Sequence, residues 1–211
     1  MPDKHTQYFD KKIYWTDEID GCGNTMIDDF LDATSFISGD RKFFNALEWC
    51  SGPGFWGFGL LFTGVVEKIT LSDIWEPNKP AVLQTILANN LDHNAQFFLS
   101  DNFKEIPKQT FDLIVANPPH FNMDPYVQHY DDPRKYKDKD WKIHKDFFDN
   151  VGDYLSKDGI IVLAENVWGS NPNIFEPMLQ KNNLKITHDF ASKQYPLDMW
   201  YLGIMRESAE R

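Results

Sequence analysis

Asn117-Pro118-Pro119-His120 closes an apolar run, Phe111-Asp112-Leu113-Ile114-Val115-Ala116, and these residue types in this order can do chemistry. An Asn side chain offers a carbonyl oxygen, and a proline ring fixes the backbone that presents a second one. Two aimed acceptors suit a planar NH2 group. The Ile/Val-rich run reads as a buried parallel strand. Proline cannot donate to a sheet ladder, so the pair ends the strand and stiffens an elbow at its carboxyl end, where open α/β sheets bind ligands. His120 could stack on a flat acceptor, receive a proton or cap the turn, and Phe121 supplies an aromatic face next to it.

A second constellation follows another apolar run, Phe43 to Trp49. It is Glu48-Trp49-Cys50-Ser51-Gly52-Pro53-Gly54-Phe55-Trp56-Gly57. Gly52 and Gly54 lack a Cβ, so a ligand can approach the backbone closely. Gly52, Gly54 and Gly57 spell G-x-G-x-x-G, a weak signal by itself. Asp73 ends the next apolar run, where a carboxylate accepts from ribose hydroxyls or caps a helix. Asp101 ends the one after that, before Asn102-Phe103. It would accept from the exocyclic amine of adenine, with Ile74 and Phe103 flanking the ring, or else serve a turn. In this order the set fits an adenosyl ligand.

The elements that must position these residues alternate. Strands are expected at 43–49, 68–73, 95–100, 111–116 and 159–165, with a final antiparallel pair at 184–192 and 200–206. Helices are expected at 54–64, 79–90, 141–155 and 175–181, the third stopped by Lys157-Asp158-Gly159. The first forty residues are polar with scattered aromatics, and hold a short helix around Asp28 to Ala33. The rhythm predicts an α/β fold: a Rossmann-like, doubly wound, mostly parallel seven-stranded sheet with an antiparallel C-terminal strand.

The chain has 211 residues and a formal charge of −11, which counts against a protein that embraces duplex nucleic acid with its whole surface. A local patch runs from Arg134 to Lys145. It is either a solvated face or a guide for an anionic substrate. Cys22 and Cys50 give neither a disulfide framework nor a metal cluster, and no run is long enough to span a membrane. A cytoplasmic protein without resident metal is expected.

With Asn-Pro-Pro added to the adenosyl set, the sequence resembles the class I S-adenosylmethionine-dependent methyltransferases. Within them it is similar to the Asn-Pro-Pro-aromatic group acting on planar nitrogens, which includes small-methyltransferase-domain enzymes and release-factor glutamine methyltransferases. The resemblance covers roughly residues 46–165. It implies that Glu48 sits near the methionine ammonium or the glycine-loop backbone. Cys50, Ser51, Gly52, Pro53 and Gly54 would line the methionine and ribose of S-adenosyl-L-methionine. Asp73 would hold the ribose diol, Asp101 the adenine amine, with Ile74, Asn102 and Phe103 beside it. Asn117, Pro118, Pro119 and His120 would form the catalytic elbow, and Phe121, Arg134 and Trp168 would meet the substrate. Cys50 stands where the family has its first glycine, and His120 where it has Tyr, Phe or Trp. The acceptor implied is an exocyclic base amine or a protein glutamine, so the partner is nucleic acid or protein. Residues 1–211 would form one methyltransferase domain, 1–42 an extension and 43–211 the core. The rival readings are a catalytically silent adenosyl-binding module and an NAD-dependent oxidoreductase. The sequence leaves the oligomeric state open.

Overall fold

A computed structural model describes residues 2–20, 22–122 and 133–207. The elements run β1 (Lys4–Tyr8), β2 (Lys11–Trp15), α1 (Ile27–Ser38), β3 (Phe43–Trp49), α2 (Phe55–Phe62), β4 (Val66–Asp73) and α3 (Asn78–Ala88). They continue β5 (Ala95–Leu99), β6 (Phe111–Ala116), α4 (Lys142–Val151), β7 (Leu155–Asn166), α5 (Pro172–Lys181), β8 (Leu184–Ala191) and β9 (Met199–Arg206). Seven strands form the central sheet in the order β5-β4-β3-β6-β7-β9-β8. β3 to β7 pair in parallel, and β9 lies antiparallel between β7 and β8. This is the mostly parallel, Rossmann-like sheet that the alternating runs predict.

Side-chain alternation divides the core between the two sheet faces. Ala46, Ile69, Leu71, Leu113, Val115 and Val162 pack under α1, α2 and α3, against Phe30, Trp56 and Val82. Leu47, Ile114, Ala116, Ile161 and Leu163 pack on the other face under α4 and α5, against Phe147, Phe148 and Phe175. Because both faces are covered, the strands read as continuous apolar runs.

Strand order reverses between β3 and β6, the switch point at which such sheets bind ligands. The register pairs Trp49 with both Ala116 and Ser72, and Asp73 with Leu99. The residues that follow β3, β6 and β5 therefore emerge side by side with the end of β4 at one edge.

Three expectations are corrected. The N-terminal stretch holds a β-hairpin, β1 paired antiparallel with β2. The hairpin docks on α3 through Lys12 N–H to Asn89 Oδ1 (3.1 Å) and Tyr14 N–H to Thr85 Oγ1 (2.9 Å). The first helix is longer than Asp28 to Ala33, running Ile27–Ser38. Lys157-Asp158-Gly159 is not a helix stop: α4 has already ended at Val151, and these residues lie within β7. They occupy an irregularity where the β6–β7 register shifts between Phe111 and Leu113. Among the described residues no helix is long and apolar enough to cross a membrane, and no group of three or more His, Cys, Asp or Glu could hold a metal.

Candidate active site

A cleft of about 1260 Å³ opens along the carboxyl edge of the sheet. The loop after β3 forms its floor. Cys50, Gly52 and Gly54 all take positive φ, at 53°, 52° and 88°. Cys50 thus adopts the left-handed backbone that explains why glycine suits its place. A Cβ on Gly54 would lie 2.4 Å from Leu71 Cδ2 and 2.8 Å from Phe58. A Cβ on Gly57 would lie 2.7 Å from Glu48 Oε2, so this third glycine seats α2 against β3 and β4.

Two carboxyl side chains hold the loop, Glu48 buried and Asp73 half-buried. Glu48 accepts from the N–H groups of Gly57 (2.8 Å) and Trp56 (3.3 Å) at the start of α2. Burial pushes its carboxyl up to about 8, against the pull of those two N–H groups. Asp73 accepts from Gly52 N–H and Trp75 N–H, both at 2.8 Å, and burial raises its carboxyl too. Part of its role is therefore to tie the glycine loop to the end of β4.

Glu48, Cys50, Ser51, Gly52, Pro53, Asp73, Ile74, Asp101 and Asn102 line this cleft together with Asn117, Pro119, His120, Phe121, Arg134 and Trp168. Gly54 and Pro118 are buried behind the lining. Asp101 pairs with Lys104 at the surface. Asn102, at φ 52°, is a bracket: its Oδ1 accepts from Trp49 Nε1 (2.7 Å) and its Nδ2 donates to Asp146 (2.6 Å). Phe103 departs from the expectation that it flanks a ligand ring. It is buried and stacks on Tyr154 and Phe147, with centroids 4.3 and 5.4 Å away, because the apolar side of α4 draws it into the core.

The elbow is braced from two sides. Phe121 N–H donates to Tyr136 C=O and Asp138 N–H to Phe121 C=O, each at 2.8 Å. From the other side comes the turn after β7, where a Cβ on Gly169 would lie 2.3 Å from the His120 carbonyl oxygen. Trp168, 76% exposed, stands on the same turn. Arg134 and Lys135 each hold their charge 5.2 Å from the Trp75 ring at the cleft. Residues 123–132, which continue the loop beyond Phe121, lie outside the described residues.

Sequence reasoning missed Ser72, Asn78, Asp138 and His144. Among the described residues, the buried side-chain polar atoms without a hydrogen-bond partner are Ser72 Oγ, Asn78 Oδ1 and Asn117 Oδ1. All three residues line this cleft. Native interiors satisfy nearly all such atoms, so three orphans on residues that line one cleft fit a site built for a polar ligand. The glycine cradle, the paired Asp73 and these atoms fit S-adenosyl-L-methionine. For Ser72 and Asn78 no motif could have given the signal, since orphaned atoms show only in the folded chain.

The fold, with its cleft at the switch point, is that of the class I methyltransferases, whose cofactor is S-adenosyl-L-methionine. The chain belongs to the family described as Eco57I restriction-modification methylase, whose model matches residues 49–195. A curated relative, the release factor glutamine methyltransferase of Leptospira interrogans serogroup Icterohaemorrhagiae serovar Lai (strain 56601), is 36% identical over 116 residues. That match spans 53% of this chain and only 38% of the relative. Among solved structures, the M. jannaschii tRNA m1G37 methyltransferase is similar at a TM-score of 0.65 and 14% identity, over 98% of this chain and 55% of that one. An S-adenosylmethionine-dependent methyltransferase from Clostridium acetobutylicum ATCC 824 is similar at 0.64 and 11% identity, over 87% and 92%. At such identities these structures share the fold.

Proposed function

We propose that this chain transfers the methyl group of S-adenosyl-L-methionine to a planar nitrogen, either the exocyclic amine of a nucleic-acid base or a glutamine side-chain amide. The observation that carries the reading is Asn117 after the end of β6: the residue lines the cleft, and its Oδ1 is buried without a hydrogen-bond partner. An oxygen held there without a partner is a hydrogen-bond acceptor waiting for a donor. Residues 43–211 act as the catalytic core with 1–42 as its extension, in the cytoplasm, where thiols such as Cys22 and Cys50 stay free.

Ser72, Asn78, Asp73 and the glycine loop would hold the cofactor, which supplies a methyl group already activated on a sulfonium. An amide or aromatic amine nitrogen is a poor nucleophile because its lone pair is delocalised. Asn117 Oδ1 and the Pro118 backbone carbonyl, reached as the acceptor seats against the elbow, would accept its two N–H bonds and turn its lone pair toward the methyl. As positive charge builds on nitrogen both bonds strengthen, which stabilises the transition state with fixed dipoles. The prolines keep those dipoles from relaxing.

The test is a labelled-methyl assay on cell extract separated into nucleic acid, protein and small molecules, with Asn117→Ala as control. Label in the nucleic-acid or protein fraction, lost in the variant, supports the reading and identifies the acceptor class. Cofactor binding with no transfer to any fraction would leave the silent-module alternative standing instead.

A further inference from the structure

Behind His120 lies a chain of buried ionisable groups that binding a cofactor does not require. Glu165, at the end of β7, is 0% exposed. Its Oε1 is 3.0 Å from His144 Nε2, and its Oε2 accepts from Ser170 Oγ at 2.7 Å and lies 3.4 Å from His120 Nδ1. His144, on α4, is also fully buried, and its Nδ1 is 2.7 Å from Asp138 Oδ2. Asp138 is buried as well, and accepts from the N–H groups of Ile143 (2.8 Å) and His144 (3.1 Å).

Burying three ionisable side chains is strongly unfavourable unless they are paired. A simple pin between α4 and β7 would need one donor and one acceptor. Here two carboxylates enclose one imidazole, and the chain ends on a ring that lines the cleft. Burial pulls His144 down, but the charges of Glu165 and Asp138 with their hydrogen bonds outweigh it and hold the imidazolium up to about 9. Glu165 is held down to about 2 by His144 and His120 in spite of burial. With His144 charged, the three groups together carry one negative charge, and Glu165 presents it to His120. A carboxylate on Nδ1 fixes the tautomer of an imidazole and leaves the lone pair on Nε2, at the other edge of the ring.

We propose that Asp138, His144 and Glu165 are positioning residues that hold His120 with Nδ1–H turned toward Glu165 and Nε2 open to the cleft, so that His120 accepts the proton shed by the methylated nitrogen. This rests on the N-methyl-transfer reading. The acceptor nitrogen forms its bond to the methyl carbon, the carbon–sulfur bond breaks, and its electron pair returns to sulfur, which becomes neutral. The nitrogen now carries the positive charge and one proton too many. One of the two N–H bonds then swings from its elbow acceptor to His120 Nε2, the proton passes to that nitrogen, the N–H electron pair returns to the methylated nitrogen, and the imidazolium rests against Glu165 until it loses the proton to solvent. The ring at this position is thus tethered by its edge for proton transfer rather than left to stack.

The test has two arms. Imidazole 1H–15N correlation spectra of the cofactor-free protein should show His120 as the Nδ1–H tautomer, and Glu165→Gln should mix the tautomers. His120→Asn should lower kcat for methyl transfer about 10²-fold at unchanged cofactor Kd. A wild-type His120 protonated on Nε2 alone, tautomers unmoved by Glu165→Gln, or an unchanged kcat in His120→Asn would each overturn the proposal. Should Glu165→Gln not fold, Asp138→Asn takes its place with the same spectra, and an unchanged His144 titration overturns the chain. If the wild type methylates nothing, the functional reading fails, while the tautomer still decides the geometry.

Discussion

Replacing Asn117 with alanine should move stability and turnover in opposite directions. The side chain is half-buried and its Oδ1 has no partner in the folded chain. A polar atom stripped of water without a replacement bond costs about 1–3 kcal/mol, and partial burial of the residue points to the lower end. Removing it should raise the unfolding free energy by about 1 kcal/mol, or Tm by about 2–4 °C for a chain of this length. The same change removes one fixed acceptor aimed at charge that develops in the transition state, worth about 10²–10³ in kcat. Thermal denaturation of the cofactor-free protein and single-turnover transfer of labelled methyl measure the two quantities on the same preparation. An alanine variant that melts several degrees lower would mean Oδ1 has an internal partner after all. One that turns over at the wild-type rate would remove the elbow from the mechanism. The usual reading of a lost activity, that the variant has unfolded, is ruled out by the direction of the Tm change.

Ser72→Ala should weaken S-adenosyl-L-methionine binding by about tenfold, the worth of roughly one hydrogen bond, without lowering Tm, as calorimetry and melting would show. Gly54→Ala meets Leu71 and Phe58 as well as a positive φ, and should cost about 2–5 kcal/mol in denaturant unfolding. Gly64→Ala, with the same hand of backbone and open space around it, should cost only about 1–2 kcal/mol. The pH dependence of stability has two opposed parts. Glu48 is raised to about 8, so its contribution is full below the ordinary carboxylate range and is lost as pH rises through about 8; Glu48→Gln should flatten that decline. Glu165 contributes above its ordinary value and loses this as pH falls through about 2. His144 contributes below its ordinary value and loses this as pH rises through about 9, a loss that a His144→Gln variant should not show.

The sheet was legible because its strands are buried on both faces and so appear as uninterrupted apolar runs, Phe111 to Ala116 above all. The hairpin was not. Lys4–Tyr8 and Lys11–Trp15 are short and polar, and their turn carries Phe9 at φ 53° rather than the glycine or asparagine that announces such turns. Cys50, Asn90, Asn102 and Asn183 likewise take left-handed backbone without glycine. Of the candidate site, the glycine loop, Asp73 and the Asn-Pro-Pro elbow could be read because each ends a strand at the same edge. Phe103 was misplaced because a sequence does not say on which side of a loop a ring falls. Asp138 and His144 both fall inside the Arg134 to Lys145 stretch, which reads as a surface charge patch. Only the folding of α4 onto β7 turns them inward, and nothing in their spacing signals Glu165, which arrives from a different element.

The paired backbone bonds between Phe121 and residues 136 and 138 act as a clasp directly beside the elbow. Whatever length or composition evolution inserts between the two sides, the clasp insulates the corner at Asn117 from it.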